Sequence, residues 1–209
     1  MNDISKLTLS DEELQLVNNS DWILTKRIII DKVYRLFGNL ADTIKAAVEK
    51  ESTWLPLEVV QSTAKISKGE NYLQLPYVLL DYPRCFHSEN VFAVRSMFWW
   101  GNFFSMTIQL SGIYKRMFAE NICINKNVLL QNDFYICINE NEWQHHFEEN
   151  NYHAVKQLTK KEFEQIIRQK QFVKLAVKFN LEQWNDMPEL MKRSFTDITE
   201  LIKPQLPMR

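Results

Sequence analysis

The densest set of chemically capable side chains lies between Asp81 and Arg95. Within this stretch the chain places a carboxylate (Asp81), two permanent cations (Arg84 and Arg95) and a titratable imidazole (His87), with Tyr72, Tyr77, Tyr82, Phe86, Trp99 and Trp100 around them. Arginine's planar donor fork matches a carboxylate or phosphate, and aromatic rings exclude water. Arg84 and Arg95, supported by Tyr77, Tyr82 and Trp99, therefore form a candidate site for a small anionic or aromatic ligand. Asp81 and His87 are the candidate residues of an acid–base enzyme, but such a pair needs a third group and a substrate position that the spacing does not supply. The competing structural explanation is internal. Asp81 pairs with Arg84 or Arg95, the tyrosines close a sheet edge, and His87 sits in a solvated turn.

A second cluster holds His145, His146 and His153 with Glu148 and Glu149. On a helix, His145 and Glu149 share a face and offer an imidazole and a carboxylate to a borderline metal, with His153 as a third candidate. The surrounding asparagines and glutamates read instead as an exposed connection, so no metal site is expected. Cys85, Cys123 and Cys137, spaced 38 and 14 residues apart, match neither a disulfide framework nor the close pairs of a zinc site. They read as free, buried thiols in a reducing compartment.

With only Gly38, Gly69, Gly101 and Gly112, the chain has no glycine-rich phosphate or dinucleotide loop, and GxSxG and HExxH are also missing. No cofactor is expected, and non-enzymatic binding of a small ligand or a protein partner is the leading expectation. The 25 basic and 26 acidic side chains leave a net charge of -1, so no global field draws the protein to nucleic acid. Residues 151–209 carry 11 lysines and arginines against 7 acids. That basic C-terminal part is the basis for a weaker alternative, single-stranded nucleic-acid binding, but solvated helix faces account for most of the charge. The N-terminus lacks a basic region followed by a continuous apolar run, and the apolar stretches near Ile28 and Val91–Leu110 are broken by charged or amide residues. A soluble, cytoplasmic protein with no membrane contact is expected.

The elements that must position these groups follow from periodicity. Ser10 and Glu13 have capping-box spacing, which predicts a helix over about 11–17, and Ser20 is the expected cap of the next helix. Ile29, Val33, Leu36, Phe37, Leu40, Ile44 and Val48 then form one helical stripe within Ser20–Lys50, with a break possible at Gly38-Asn39. Val91–Leu110 alternates with period two and predicts a hairpin turning through Trp100-Gly101-Asn102. Leu75–Leu80 is a third strand, ending before Pro83, and Phe134–Ile138 a fourth. Lys68–Asn71 reads as a turn. Ser111 can cap a helix, Thr159 and Glu162 repeat the capping box, Phe172, Leu175, Ala176 and Phe179 fit a helical face, and Pro188 opens a last helix.

The expected fold is α+β: a single domain, 1–209, with a small antiparallel sheet of about four strands flanked by N-terminal and C-terminal helices, and 204–209 a loose tail. Trp99, Trp100, Phe103 and Phe104 at the hairpin tip are costly to expose and motivate a homodimer.

Overall fold

The structure, a computed structural model, describes residues 7–205. It begins with two helices separated by one residue. Helix α1, Asp11–Asn18, starts with the reciprocal Ser10–Glu13 capping box. Helix α2, Ser20–Lys50, is capped by Asn19, whose side chain accepts the Trp22 amide, so Asn19 rather than Ser20 does the capping. This helix runs unbroken through Gly38-Asn39 because its stripe of Val33, Phe37, Leu40, Ile44 and Val48 is fully buried, which outweighs the low local propensity.

The sheet corrects the expectation of about four strands. It has seven, all antiparallel: β1 (Lys65–Tyr72), β2 (Leu75–His87), β3 (Asn90–Trp99), β4 (Phe103–Ser111), β5 (Tyr135–Cys137), β6 (Tyr152–Ala154) and β7 (Phe172–Asn180), in spatial order β1-β2-β3-β4-β7-β5-β6. The α+β class and the 91–110 hairpin are present; the strand count is what fails. The segment read as a turn at Lys68–Asn71 lies in β1, paired to β2. Strand β2 passes Pro83 because the proline sits where the register shifts between Asp81 and Arg84, and its missing N–H breaks no ladder bond there. Phe172–Asn180 is a strand rather than a helix: a short run apolar on both faces carries no periodicity to separate the two.

Helices α3 (Leu57–Val60), α4 (Gly112–Ile124), α5 (Lys126–Leu130), α6 (Lys160–Gln169) and α7 (Met187–Ile202) complete the chain. Gly112 makes the turn from β4 into α4 with φ +55, where a Cβ would lie 2.7 Å from the Glu89 carbonyl oxygen. Thr159 and Glu162 form the second capping box, and Pro188 stands in the first turn of α7. One large apolar cluster runs from Val33 of α2 through Leu80, Phe98, Met106, Ile108 and Leu175 of the sheet to Leu201 of α7. These sheet residues alternate with a second set that faces away from the cluster.

The rings at the hairpin tip are covered within the chain. Trp99, Phe103 and Phe104 are buried and Trp100 is partly so, which removes that particular reason for dimerisation. Pro204 and Gln205 have no regular structure, and 206–209 lie outside the described residues. Among the described residues, no helix is long and apolar enough to cross a membrane.

Candidate functional site

The sheet's second face is polar and nonetheless buried. Register aligns Asp81, Arg95, Thr107 and Ala176 in one row, Ala93, Gln109 and Lys174 in the next, and Tyr77, Trp99 and Phe103 toward the hairpin tip. Over these rows lies the 138–151 connection between β5 and β6, which has neither helix nor strand.

Polar groups tie this strap down. Arg95 donates from Nε to one Asp81 oxygen at 2.6 Å and from Nη2 to the other at 3.0 Å, a bidentate pair almost wholly removed from water. Its Nη1 lies 3.2 Å from Nε2 of His145, inside the strap. The Tyr72 hydroxyl accepts the amides of His145 at 2.6 Å and His146 at 3.0 Å. Lys174 is 1 % exposed, and its ammonium donates to the carbonyls of Glu142, at 2.7 Å, and Gln144. Gln109 donates to the Glu142 carboxylate at 2.7 Å, and Phe147 stacks on Tyr152 with centroids 4.6 Å apart. Two of the strap's backbone carbonyls are thus satisfied by one side chain from the sheet, as burial requires.

The electrostatics follow from this burial. Loss of water pushes the Lys174 ammonium down to about 7, with the Arg95 charge acting in the same direction. His145 is held well below its ordinary value, first by burial and then by the Lys174 and Arg95 charges, so it stays neutral and can accept from Arg95. Tyr152 is held well above its usual value, mainly by burial.

The structure brings some of the sequence candidates together and separates others. Asp81 and Arg95 form one unit, and Tyr77 and Trp99 stand on the same face, both in ring contact with Tyr72. Arg84 turns elsewhere, its Nε donating to the Thr63 carbonyl at 3.1 Å, and Tyr82 belongs to the main apolar cluster under the opposite face. His87 is exposed at the end of β2, about six strand positions and therefore roughly 20 Å from buried Asp81. His145 points to Arg95 while Glu149 and His153 are exposed; the strap is not helical, and no group of three potential ligands among the described residues can hold a metal ion.

Residues missed in the sequence include Gln109, Glu142 and, above all, Lys174, whereas Tyr72 and His146, named there among the aromatic and histidine clusters, meet each other through the strap. The one sequence signal for Lys174 is a lone cation inside the apolar run Phe172–Val177. A cavity of ≈ 400 Å³, not foreseen in the sequence, lies beside the strap and is lined by Leu73, Trp99, Phe103, His146, Phe147, Glu148 and Lys178. Trp99 Nε1 and His146 Nδ1 are buried without a hydrogen-bond partner among the described residues. The Lys178 ammonium lies 5.3 Å from the Phe147 ring centroid and forms no ion pair among them. A larger hollow near Ser111 is less suited to a ligand, because its Lys115 is already committed to the Lys170 carbonyl and Asn90 caps the start of α4.

No protein-family model, curated protein or solved structure matches this chain. The functional reading therefore rests on the geometry of these two adjoining features.

Proposed function

We propose that the protein is a non-enzymatic binding domain whose cavity beside Trp99 takes a small planar aromatic molecule carrying a carboxylate. The observation that carries this reading is the pair of buried, unpartnered polar atoms, Trp99 Nε1 and His146 Nδ1, on residues lining one cavity. An indole N–H can only donate, so a ligand completing it must bring an acceptor. Phe103, Phe147 and Leu73 supply apolar walls for a ring, Lys178 supplies the cation for an anionic group, and Glu148, the one acid of the lining, marks the side that group must avoid. Arg95 stands behind this site. Its carboxylate partner is already Asp81, and its third donor meets His145, so it positions the strap rather than the ligand.

Support for an acid–base reaction at Asp81 and His87 is lacking, because the two groups do not converge. The test is calorimetric titration with benzoate, phenylacetate and indole-3-carboxylate, each beside its uncharged amide. The reading expects at least one carboxylate to bind with its amide weaker by tenfold or more, and Lys178→Ala to remove that difference. Absence of binding by every carboxylate at millimolar concentration, or binding that is unaltered in both Lys178→Ala and Trp99→Phe, overturns it.

A further inference from the structure

The strap over residues 138–151 is held to the sheet at two places of opposite chemistry. At one, Phe147 is wedged among rings, its centroid 5.1 Å from that of Phe103, 5.2 Å from Tyr135 and 4.6 Å from Tyr152. At the other, the stretch from Glu142 to His146 is fastened chiefly by polar groups, and its central contact runs from Arg95 Nη1 to His145 Nε2 at 3.2 Å. A guanidinium can only donate, so Nε2 must offer its lone pair and the ring carries its proton on Nδ1. The contact exists for the neutral imidazole alone. A second proton turns Nε2 into a donor facing a donor, and sets a cation against Arg95 and, from β7, Lys174.

The groups around His145 offer that charge no compensation. Asp81 of β2 gives both carboxylate oxygens to Arg95, and the Glu142 carboxylate accepts from Gln109 of β4. From β1 comes the Tyr72 hydroxyl, already accepting the amides of His145 and His146. Cys137 of β5 and Tyr152 of β6 stay neutral, each held above its ordinary value mainly by burial, and His146 within the strap adds repulsion when charged. Among the described residues, His145 forms no ion pair with a carboxylate. The ends of the strap are pinned independently of it: Cys137 pairs with Tyr152, and the Ile138 amide donates to the Asn151 carbonyl at 2.8 Å. The middle can therefore lift while the sheet stays whole.

We infer that the strap is a latch released by acid: when His145 takes up a proton, the stretch from Glu142 to His146 lifts from the sheet while Phe147 stays seated as its pivot. Lifting carries His146 out of the cavity lining, so acid takes away one wall of that site. This consequence rests on the binding reading above, whereas the release itself does not.

The test follows amide hydrogen-exchange protection in the unliganded protein, so a failed ligand search leaves its outcome untouched. Between pH 6.5 and pH 5, opening takes up a proton that the closed strap excludes, which favours the open form by about tenfold per pH unit. Lys174 adds little over this range, because with a folded-state value of about 7 it is already largely charged. Protection of the His146 amide should fall roughly tenfold or more. The Tyr152 amide, bonded to the Glu148 carbonyl at 2.9 Å on the Phe147 side, and the β3–β4 ladder should keep theirs. His145→Gln retains an acceptor for Arg95 but cannot titrate, so its His146 protection should stay level from pH 6.5 to 5. Constant protection in wild type overturns the latch, as does a fall that His145→Gln shares or that the β3–β4 ladder follows. Imidazole ¹⁵N shifts of the wild type decide without any variant. Nε2 of His145 should be the unprotonated nitrogen at pH 6.5; the opposite tautomer, or a doubly protonated ring with His146 protection unchanged, equally overturns the inference.

Discussion

Lys174 on β7 holds Gln144 of the strap by donating its buried ammonium to the Gln144 backbone carbonyl, and the same ammonium reaches the carbonyl of Glu142. One side chain in the centre of the sheet thus satisfies two backbone groups of a 14-residue connection that has no secondary structure of its own. Replacing it with methionine keeps the apolar stem but removes both donors. Lys174→Met should raise hydrogen exchange at the His145 and His146 amides by tenfold or more while exchange in the β3–β4 ladder stays slow. Unchanged exchange in the strap would show that Lys174 does not fasten it.

The same lysine makes stability depend on pH. Its folded-state value is about 7 against an ordinary value of 10.5. Between these limits the unfolded chain binds a proton that the folded chain does not, so stability rises as pH increases from 7 toward 10.5, and the cost of burying the charge is fully present below 7. His145 acts in the same sense at lower pH. Its folded value is depressed, so stability falls as pH drops below about 6.5. Urea midpoints measured from pH 7 to 10 should climb in wild type relative to Lys174→Met. Parallel curves for the two proteins would contradict the assignment.

Arg95 and Asp81 are expected to behave as an internal pair. Arg95→Ala leaves a buried carboxylate without its cation, which should cost about 3–5 kcal/mol by chemical denaturation. Removing both charges in D81A/R95A should cost less than Arg95→Ala plus Asp81→Ala, because neither charge is then left alone. Additive losses would mean that the bidentate contact contributes nothing.

Two glycines separate backbone need from packing. Gly112→Ala places a Cβ at φ +55 and 2.7 Å from the Glu89 carbonyl, and should lower the thermal midpoint by several degrees. Gly38 lies inside α2 with nothing within 4 Å of where a methyl group would stand, so Gly38→Ala should raise stability by up to about 1 kcal/mol. Thermal melts of the two variants moving in the same direction would contradict this contrast.

The helices are largely legible because capping and burial leave separate marks in sequence. Ser10 with Glu13, Thr159 with Glu162 and the α2 stripe predict real elements close to their observed limits. The hairpin is legible because β4 alternates Phe104, Met106, Ile108 and Leu110 with smaller polar residues. The rest of the sheet is hidden for identifiable reasons. Strand β7 is buried on both faces, so Phe172–Val177 has no alternation; β1 is polar and lies at the sheet edge; β6 is only three residues long. At the site, the Asp81–Arg95 pairing is one of the internal alternatives that the sequence allows. Proximity along the chain groups Arg84 and Tyr82 with it; Tyr82 turns into the main apolar cluster, and Arg84, though the register shift sets it opposite Ala93, commits its Nε to the Thr63 carbonyl. His146 and Lys178 lie far from Trp99 in sequence and meet it only through the strand order β4-β7-β5 and the strap, and the same order sets Lys174 beside Gln109 under the strap.

The cavity beside Trp99 is tested most directly by the indole N–H resonances of ¹⁵N-labelled protein. The chain has six tryptophans, and Trp99→Phe identifies the resonance of Trp99 by its loss. On titration with the best-binding aromatic carboxylate, the Trp99 Nε1–H signal should move downfield as it gains an acceptor, while the signals of Trp54 and Trp184, on the helix-covered side of the sheet, stay in place. A saturating ligand that leaves the Trp99 signal unmoved, or that shifts Trp54 and Trp184 instead, contradicts the central claim that this cavity is the binding site.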